Sequence, residues 1–218
     1  MIMQSNSLTN KTLSGLFWSF LDRFGQQCIQ FIIWIILARM LLPKQFGLIG
    51  MLTIFIMVGQ SLIDSGFGQA LIQKKNQSYL DECSIFYFNI FISLAIVCFF
   101  YLSAPLIAVF YGQPILKYLA RVISLNLIIN AFGLIQITLL TKEINFKTQL
   151  GASIIAIISS GVIGIIMAVN GFGVWSLVGQ SISNNLLRTI LLWVFNSWRP
   201  ALLFSLQSLR EMFGYGSK

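Results

Sequence analysis

The sequence predicts an all-α polytopic membrane bundle of about six transmembrane helices, and three observations carry that expectation. The chain of 218 residues is 57% hydrophobic and only 9% charged. Its mean hydropathy is +0.84. Its apolar residues fall into long runs separated by short polar breaks. A soluble domain carries roughly a quarter charged residues, because its surface must face water. Lipid accepts apolar surface on every side, so a bilayer removes that demand.

A spanning helix needs about 20 mostly apolar residues, and six segments qualify, at approximately 13–38, 46–63, 85–110, 122–140, 152–169 and 174–195. The first is too long for a secretory signal and lacks a small-residue cleavage site, so it reads as a retained membrane anchor. The breaks Leu42-Pro43-Lys44-Gln45, Tyr111-Gly112-Gln113-Pro114 and Asn170-Gly171-Phe172-Gly173 read as turns. Pro105 lies inside the third run and predicts a kink or an early end. Ser78 and Asp81, three apart before that run, have the spacing of a helix N-cap. The connection 65–81 as a whole reads either as an interfacial turn of helix over anionic headgroups or as a solvated loop.

In the fifth run Ala152, Ala156, Ser160, Gly164 and Ala168 recur every four residues. That spacing places small side chains on one face, suited to close packing or to a sliding helix contact. Gln45-Phe46-Gly47 and Gly171-Phe172-Gly173 share a pattern too brief to establish a repeat.

Basic residues set the orientation. With the N-terminus inside, the inner segments hold Lys11, Lys74, Lys75, Lys142, Lys147, Arg199, Arg210 and Lys218, and the outer ones only Arg39, Lys44, Lys117 and Arg121. Positive charge is retained on the cytoplasmic side, so both termini are expected there. Trp34 and Trp175 then fall near the outer boundary, and Trp18, Trp193 and Trp198 near the inner one, where indoles favour the interface. The net charge of +8 is scattered singly rather than gathered in a stripe. Orientation therefore explains it better than nucleic-acid binding.

Chemistry of the catalytic kind is missing from the sequence. The chain has no histidine, and Cys28, Cys83 and Cys98 form no CxxC pair, so they read as small hydrophobes. Gly216-Ser217-Lys218 lacks the upstream glycine of a phosphate-binding loop. The six carboxylates include no close pair inside a span. No enzyme, cofactor or metal is expected.

Charges inside the spans are the informative residues. Asp22 and Arg23 lie near the middle of the first and Arg188 in the sixth. Each costs about 2.5–3.5 kcal/mol facing lipid, so each is expected to face protein or water. Asp22 and Arg23 are consecutive and point about 100° apart, so they need partners on other helices. Asp22 lies about 13 Å and Arg188 about 12 Å from the inner ends of their spans, which makes them a predicted pair. Asp22, Gln26 and Gln30 share one helical face, as do Gln180, Asn184 and Arg188, and Asn126 with Asn130. Such amides serve either as interhelical glue or as the lining of a hydrated cavity, and the charges favour the cavity. An Asp22–Arg188 pair would leave Arg23 to make it net positive, suited to an anionic diphosphate.

Six segments then match a known pattern. They are Thr12–Gly25, Ile36–Gly47, Asp64–Lys75, Ile128–Gly133, Leu140–Lys147 and Gly171–Leu177. In these the chain resembles polysaccharide transporters of the lipopolysaccharide and teichuronic-acid type, within the multidrug/oligosaccharidyl-lipid/polysaccharide exporter superfamily, from about Lys11 to the last residue. The resemblance implies a multi-pass flippase of the bacterial inner membrane that moves undecaprenyl-diphosphate-linked oligosaccharide by alternating access. Members have two helical lobes and about twice this length. Residues 1–218 are therefore expected to form an N-terminal lobe, with 196–218 a cytoplasmic segment leading toward a second lobe of the same protein. The implied partners are the lipid-linked oligosaccharide, membrane lipids, a polysaccharide polymerase and glycosyltransferases, with no nucleic acid. An ion gradient, the membrane potential or consumption of product are the candidate drives. Competing readings are a drug or cation exporter of the same superfamily and a non-transporting scaffold in a glycan-assembly complex.

Overall fold

A computed structural model of the chain describes residues 20, 24–64, 67–74 and 77–216. Every regular element among them is a helix. In chain order these are α1 (Phe24–Met40), α2 (Pro43–Asp64), α3 (Phe67–Gln73), α4 (Tyr79–Phe110), α5 (Ile115–Ile123), α6 (Leu125–Lys142), α7 (Phe146–Val169), α8 (Val174–Phe195) and α9 (Leu206–Gly216). The protein is an all-α membrane bundle. Four stretches among the described residues are long and apolar enough to cross a bilayer, and they contain α2, α4, α5 with α6, and α7.

Several helix ends differ from the sequence expectation, each for a local reason. The span expected from about Ile85 is part of a longer helix, α4, which begins at Tyr79 with the Ser78–Asp81 cap that the sequence suggests, present as a complete capping box. The Ser78 hydroxyl accepts from the Asp81 amide, and the Asp81 carboxylate accepts from the Ser78 amide. The helix then runs five residues past Pro105, to Phe110, so the proline does not end it. At 1.5 Å per residue α4 is about 48 Å long, against a hydrocarbon core of about 30 Å. Its acidic first turn therefore has room to stand beyond the lipid. Lys117 and Arg121, expected in an outer loop, lie in α5, where the Arg121 guanidinium sits 4.0 Å from the Tyr101 ring centroid.

Lipid-facing surface and core divide along each helix. On α4, Val109 and Phe110 are both 80% exposed, whereas Phe100, Ala104 and Ile107 are buried. The main cluster joins Leu48, Leu52 and Ile63 of α2 to these α4 residues and to Leu116, Leu119, Leu127 and Ala131 of α5 and α6. A second cluster at the other end of α4 gathers Phe67, Leu71, Phe86, Ile135 and Leu209.

The small residues of α7 pack. Ala152, Ala156 and Ser160 are fully buried, and α7 with α8 forms the most extensive helix–helix contact. Gly164 of α7 lies against Gln180 of α8, where an added Cβ would stand 2.9 Å from the Gln180 Cβ. The turn between these helices uses Gly171 at φ +78 and Gly173 at φ +56, conformations that glycine adopts without strain.

The connection 65–81 contains a helix, and that helix lies on protein. Phe67, Ala70 and Leu71 of α3 are buried. The Lys142 ammonium donates to the carbonyls of Leu71 (3.4 Å) and Lys74 (3.0 Å) and to Gln77 Oε1 (2.6 Å). A cation at a helix C-terminus satisfies carbonyls that lack intrahelical partners and opposes the negative end of the dipole. Lys74 donates to Asp81 at 2.8 Å and lies 3.4 Å from Glu211 of α9. The bond to Asp81 holds the Lys74 ammonium above its ordinary pKa. A raised lysine pKa stabilises the fold fully below the unfolded value and is lost only as pH climbs past the folded one. The clasp thus holds at every physiological pH. Replacing Lys142→Met should raise amide exchange in α3 about tenfold, the equivalent of one lost charged hydrogen bond. Equal exchange in variant and parent would show that the lysine does not hold α3.

Two of the tryptophans expected near the inner boundary make hydrogen bonds within the protein. Trp193 Nε1 donates to the Phe132 carbonyl at 2.9 Å, and Trp198 Nε1 to Glu82 at 2.6 Å. Both rings pack on Phe86. Their N–H groups thus have protein acceptors.

Candidate functional site: a polar cavity between four helices

Polar residues collect where α1, α2, α6 and α8 surround a cavity of about 690 Å³. α1 contributes Gln30 and Trp34, and α2 contributes Thr53 and Gln60 beside Phe46, Ile49 and Met57. α6 supplies Asn126 and Asn130, and α8 supplies Gln180, Ser181, Asn184 and Asn185. The volume lies in the range of small-molecule sites, which run about 300–1,000 Å³.

Some of these amides are already engaged across helices. Asn126 Nδ2 donates to Ser181 Oγ at 3.0 Å, and Asn126 Oδ1 accepts from Asn185 Nδ2 at 2.9 Å. One asparagine of α6 is thereby clamped between two turns of α8. Farther along, Thr189 Oγ1 donates to the Ile129 carbonyl at 3.2 Å. On the α2 side, Asn130 Nδ2 donates to Gln60 Oε1 at 3.3 Å, and Gln60 Nε2 donates to Asp64 at 3.0 Å. Asn184 differs: its Oδ1 is buried with no hydrogen-bond partner among the described residues.

The structure brings five of the expected site residues together on one wall: Gln30, Asn126, Asn130, Gln180 and Asn184. Gln26 and Arg188, one turn from Gln30 and Asn184, are half-buried and outside the lining. Asp22 and Arg23 lie outside the described residues, and with them the predicted Asp22–Arg188 pair. The expected net positive charge is not seen in the described lining, which holds amides, hydroxyls and apolar groups. Glue and lining are not alternatives here, since Asn126 does both.

Trp34, Thr53, Gln60, Ser181 and Asn185 complete the wall and were missed from the sequence. A signal existed for α8: Ser181, Asn185 and Thr189 form a second i, i+4 stripe beside Gln180, Asn184 and Arg188. Thr53 carries no such signal, being an isolated polar residue in an apolar run, whereas Gln60 stands four residues before Asp64, an i, i+4 polar pair at the end of α2.

Apolar helices around an open cavity that mixes amides with apolar side chains define a polytopic membrane protein. The chain belongs to the polysaccharide biosynthesis protein family, whose model matches residues 36–218. It is 28% identical over 201 residues to the succinoglycan biosynthesis transport protein of Rhizobium meliloti, covering 91% of this chain and 41% of that one. It is 29% identical over 217 residues to the teichuronic acid biosynthesis protein of Bacillus subtilis, covering 97% and 44%. With the lipopolysaccharide biosynthesis protein of Escherichia coli it shares 26% over 217 residues, covering 97% and 43%. The chain thus spans less than half the length of these curated relatives. No solved structure matches it.

Proposed function

We propose that the chain forms the N-terminal lobe of a flippase for undecaprenyl-diphosphate-linked oligosaccharide in the bacterial inner membrane, with both termini cytoplasmic. The observation that carries this reading is the convergence of Gln30, Asn126, Asn130, Gln180 and Asn184 on one cavity in a chain of this family. Polar groups at membrane depth are costly and persist where they face a wet interior. A second lobe would close the other side of the chamber, and the two would rock around the bound headgroup while the lipid tail stays in the bilayer. The role is transport rather than catalysis. Amides and hydroxyls in the lining favour a hydroxylated cargo over the cation of a drug exporter, which a carboxylate would hold better.

The test is complementation of a strain lacking its polysaccharide exporter. The reading frame that carries this chain is expected to restore surface glycan, and residues 1–218 alone are expected not to. Restoration by 1–218 alone would overturn the lobe reading. Failure of the reading frame to restore any glycan, with the protein present in the membrane, would overturn the transport reading.

A further inference from the structure

We propose that the corner between α4 and α5 binds an anionic phospholipid by its phosphate, with Arg121 and Lys117 as the binding residues. The site goes beyond the transport reading and depends neither on the cargo nor on which way the chain faces across the bilayer.

The site begins at Pro105. Proline has no N–H, so the Tyr101 carbonyl, four residues earlier in α4, loses its ordinary helical partner. Arg121 of α5 takes that place, its Nε donating to the Tyr101 carbonyl at 3.4 Å. The guanidinium carbon also lies 4.0 Å from the centroid of the Tyr101 ring, a cation–π contact. One nitrogen and one face of the guanidinium are thereby fixed to α4. Its terminal amino groups make no hydrogen bond among the described residues. A guanidinium pinned in this way presents them as a preorganised fork that matches two phosphate oxygens. Lys117 stands one turn away on the same face of α5, its ammonium 5.8 Å from the centroid of the Tyr118 ring.

Charge selects the class of ligand. Residues 83–142 contain no Asp or Glu, and neither cation has an ion pair among the described residues. Two unopposed cations favour a ligand of net negative charge, whereas a zwitterionic lipid would bring its own ammonium against them.

Depth selects a lipid. A hydrocarbon core of about 30 Å centred on α4 reaches about ten residues either side of the helix midpoint, to near Ala104. Tyr101 and Arg121 therefore sit at its rim, where a long basic side chain reaches the phosphate layer. Beside them Leu102 and Leu106 are 70% and 71% exposed. Their i, i+4 spacing offers an acyl chain one apolar strip along α4. Basic groups next to such a strip recognise anionic lipids through the headgroup.

The experiment follows the melting temperature of the purified protein of the full reading frame in detergent micelles, titrated with dioleoylphosphatidylglycerol or dioleoylphosphatidylcholine. Phosphatidylglycerol should raise it saturably, and phosphatidylcholine should not. Lys117→Gln should raise the mole fraction for half-saturation about tenfold, as the loss of one charged hydrogen bond predicts. Arg121→Gln should abolish the response. Because that change also strands the Tyr101 carbonyl, Pro105→Ala combined with Arg121→Gln is measured beside it, alanine restoring an N–H to the helix. The combined variant should still fail to respond. Lys147→Gln with Arg210→Gln removes two exposed cations of α7 and α9 and should respond as the parent does. Equal responses to the two lipids would overturn the proposal. So would a response regained by the combined variant, which would leave Arg121 only the task of holding α4. A parental response in Lys117→Gln, or a loss in the α7 and α9 control as complete as in Arg121→Gln, would overturn it as well.

Discussion

Gly164→Leu is expected to lower the stability of the protein by about 3 kcal/mol, the upper end of the usual overpacking penalty. The Cβ alone would stand 2.9 Å from the Gln180 Cβ, 3.2 Å from its Cγ and 3.6 Å from the Ser176 carbonyl. Two of these three atoms, the Gln180 Cβ and the Ser176 carbonyl, are fixed by the α8 backbone, so a rotamer change cannot clear the space. The remaining leucine atoms must then separate α7 from α8 along their most extensive contact. Gly164→Ala should cost less, since only the contacts of the Cβ are incurred. Size-exclusion melting in detergent measures both variants. A parental melting curve for Gly164→Leu would show that the helices are not in close contact there. Because Gln180 also lines the cavity, export should fall with stability in this series.

Asn126→Leu should damage the site from the α6 side. Leucine removes two interhelical hydrogen bonds and leaves Asn185 Nδ2 and Ser181 Oγ without that partner. In water-soluble cores each stranded group costs about 1–3 kcal/mol. Hydrogen bonds between membrane helices average about 0.6 and reach about 1.7 kcal/mol. The membrane scale is the relevant one, so the single variant is expected to lose about 1–3 kcal/mol for the two bonds together. The cycle with Asn185→Leu isolates one of them. The double variant should recover part of the loss, with a coupling energy of about 1 kcal/mol. Strict additivity would show that the 2.9 Å bond contributes nothing. Glycan export should fall in both single variants, because Asn126 and Asn185 form the cavity wall as well as its brace.

Which parts of this arrangement were readable beforehand follows the range of the interactions. The α4 cap was readable because Ser78 and Asp81 lie three residues apart and satisfy each other locally. So was the packed face of α7, since a four-residue spacing of small side chains is a property of one helix. Contacts across long sequence separations were not readable. Nothing near Lys142 announces that it closes the end of α3, 68 residues away at the Lys74 carbonyl. Nothing near Trp198 places its indole on Glu82, 116 residues away. The expected place of Trp198 near the inner boundary did not disclose this partner. Pro105 does not end α4, one of the two outcomes its position allowed: in a long apolar helix, neighbouring helices can compensate the lost backbone bond, and the chain continues.

The amino-acid sequence by itself determined the solvent, the helical class and the family. Lipid offers no hydrogen-bond partners, so composition decides that the backbone must close its own bonds in helices. The residues also supplied the polar stripes on α1, α6 and α8. Only the tertiary structure decided that these stripes meet, that Thr53, Gln60 and Trp34 join them, and that Asn126 is spent on α8 while the Asn184 Oδ1 is buried without a partner among the described residues. The reason is geometric. A helix's face is set by its own residues, but which faces meet depends on rotations and crossing angles fixed by side chains packed from distant parts of the chain.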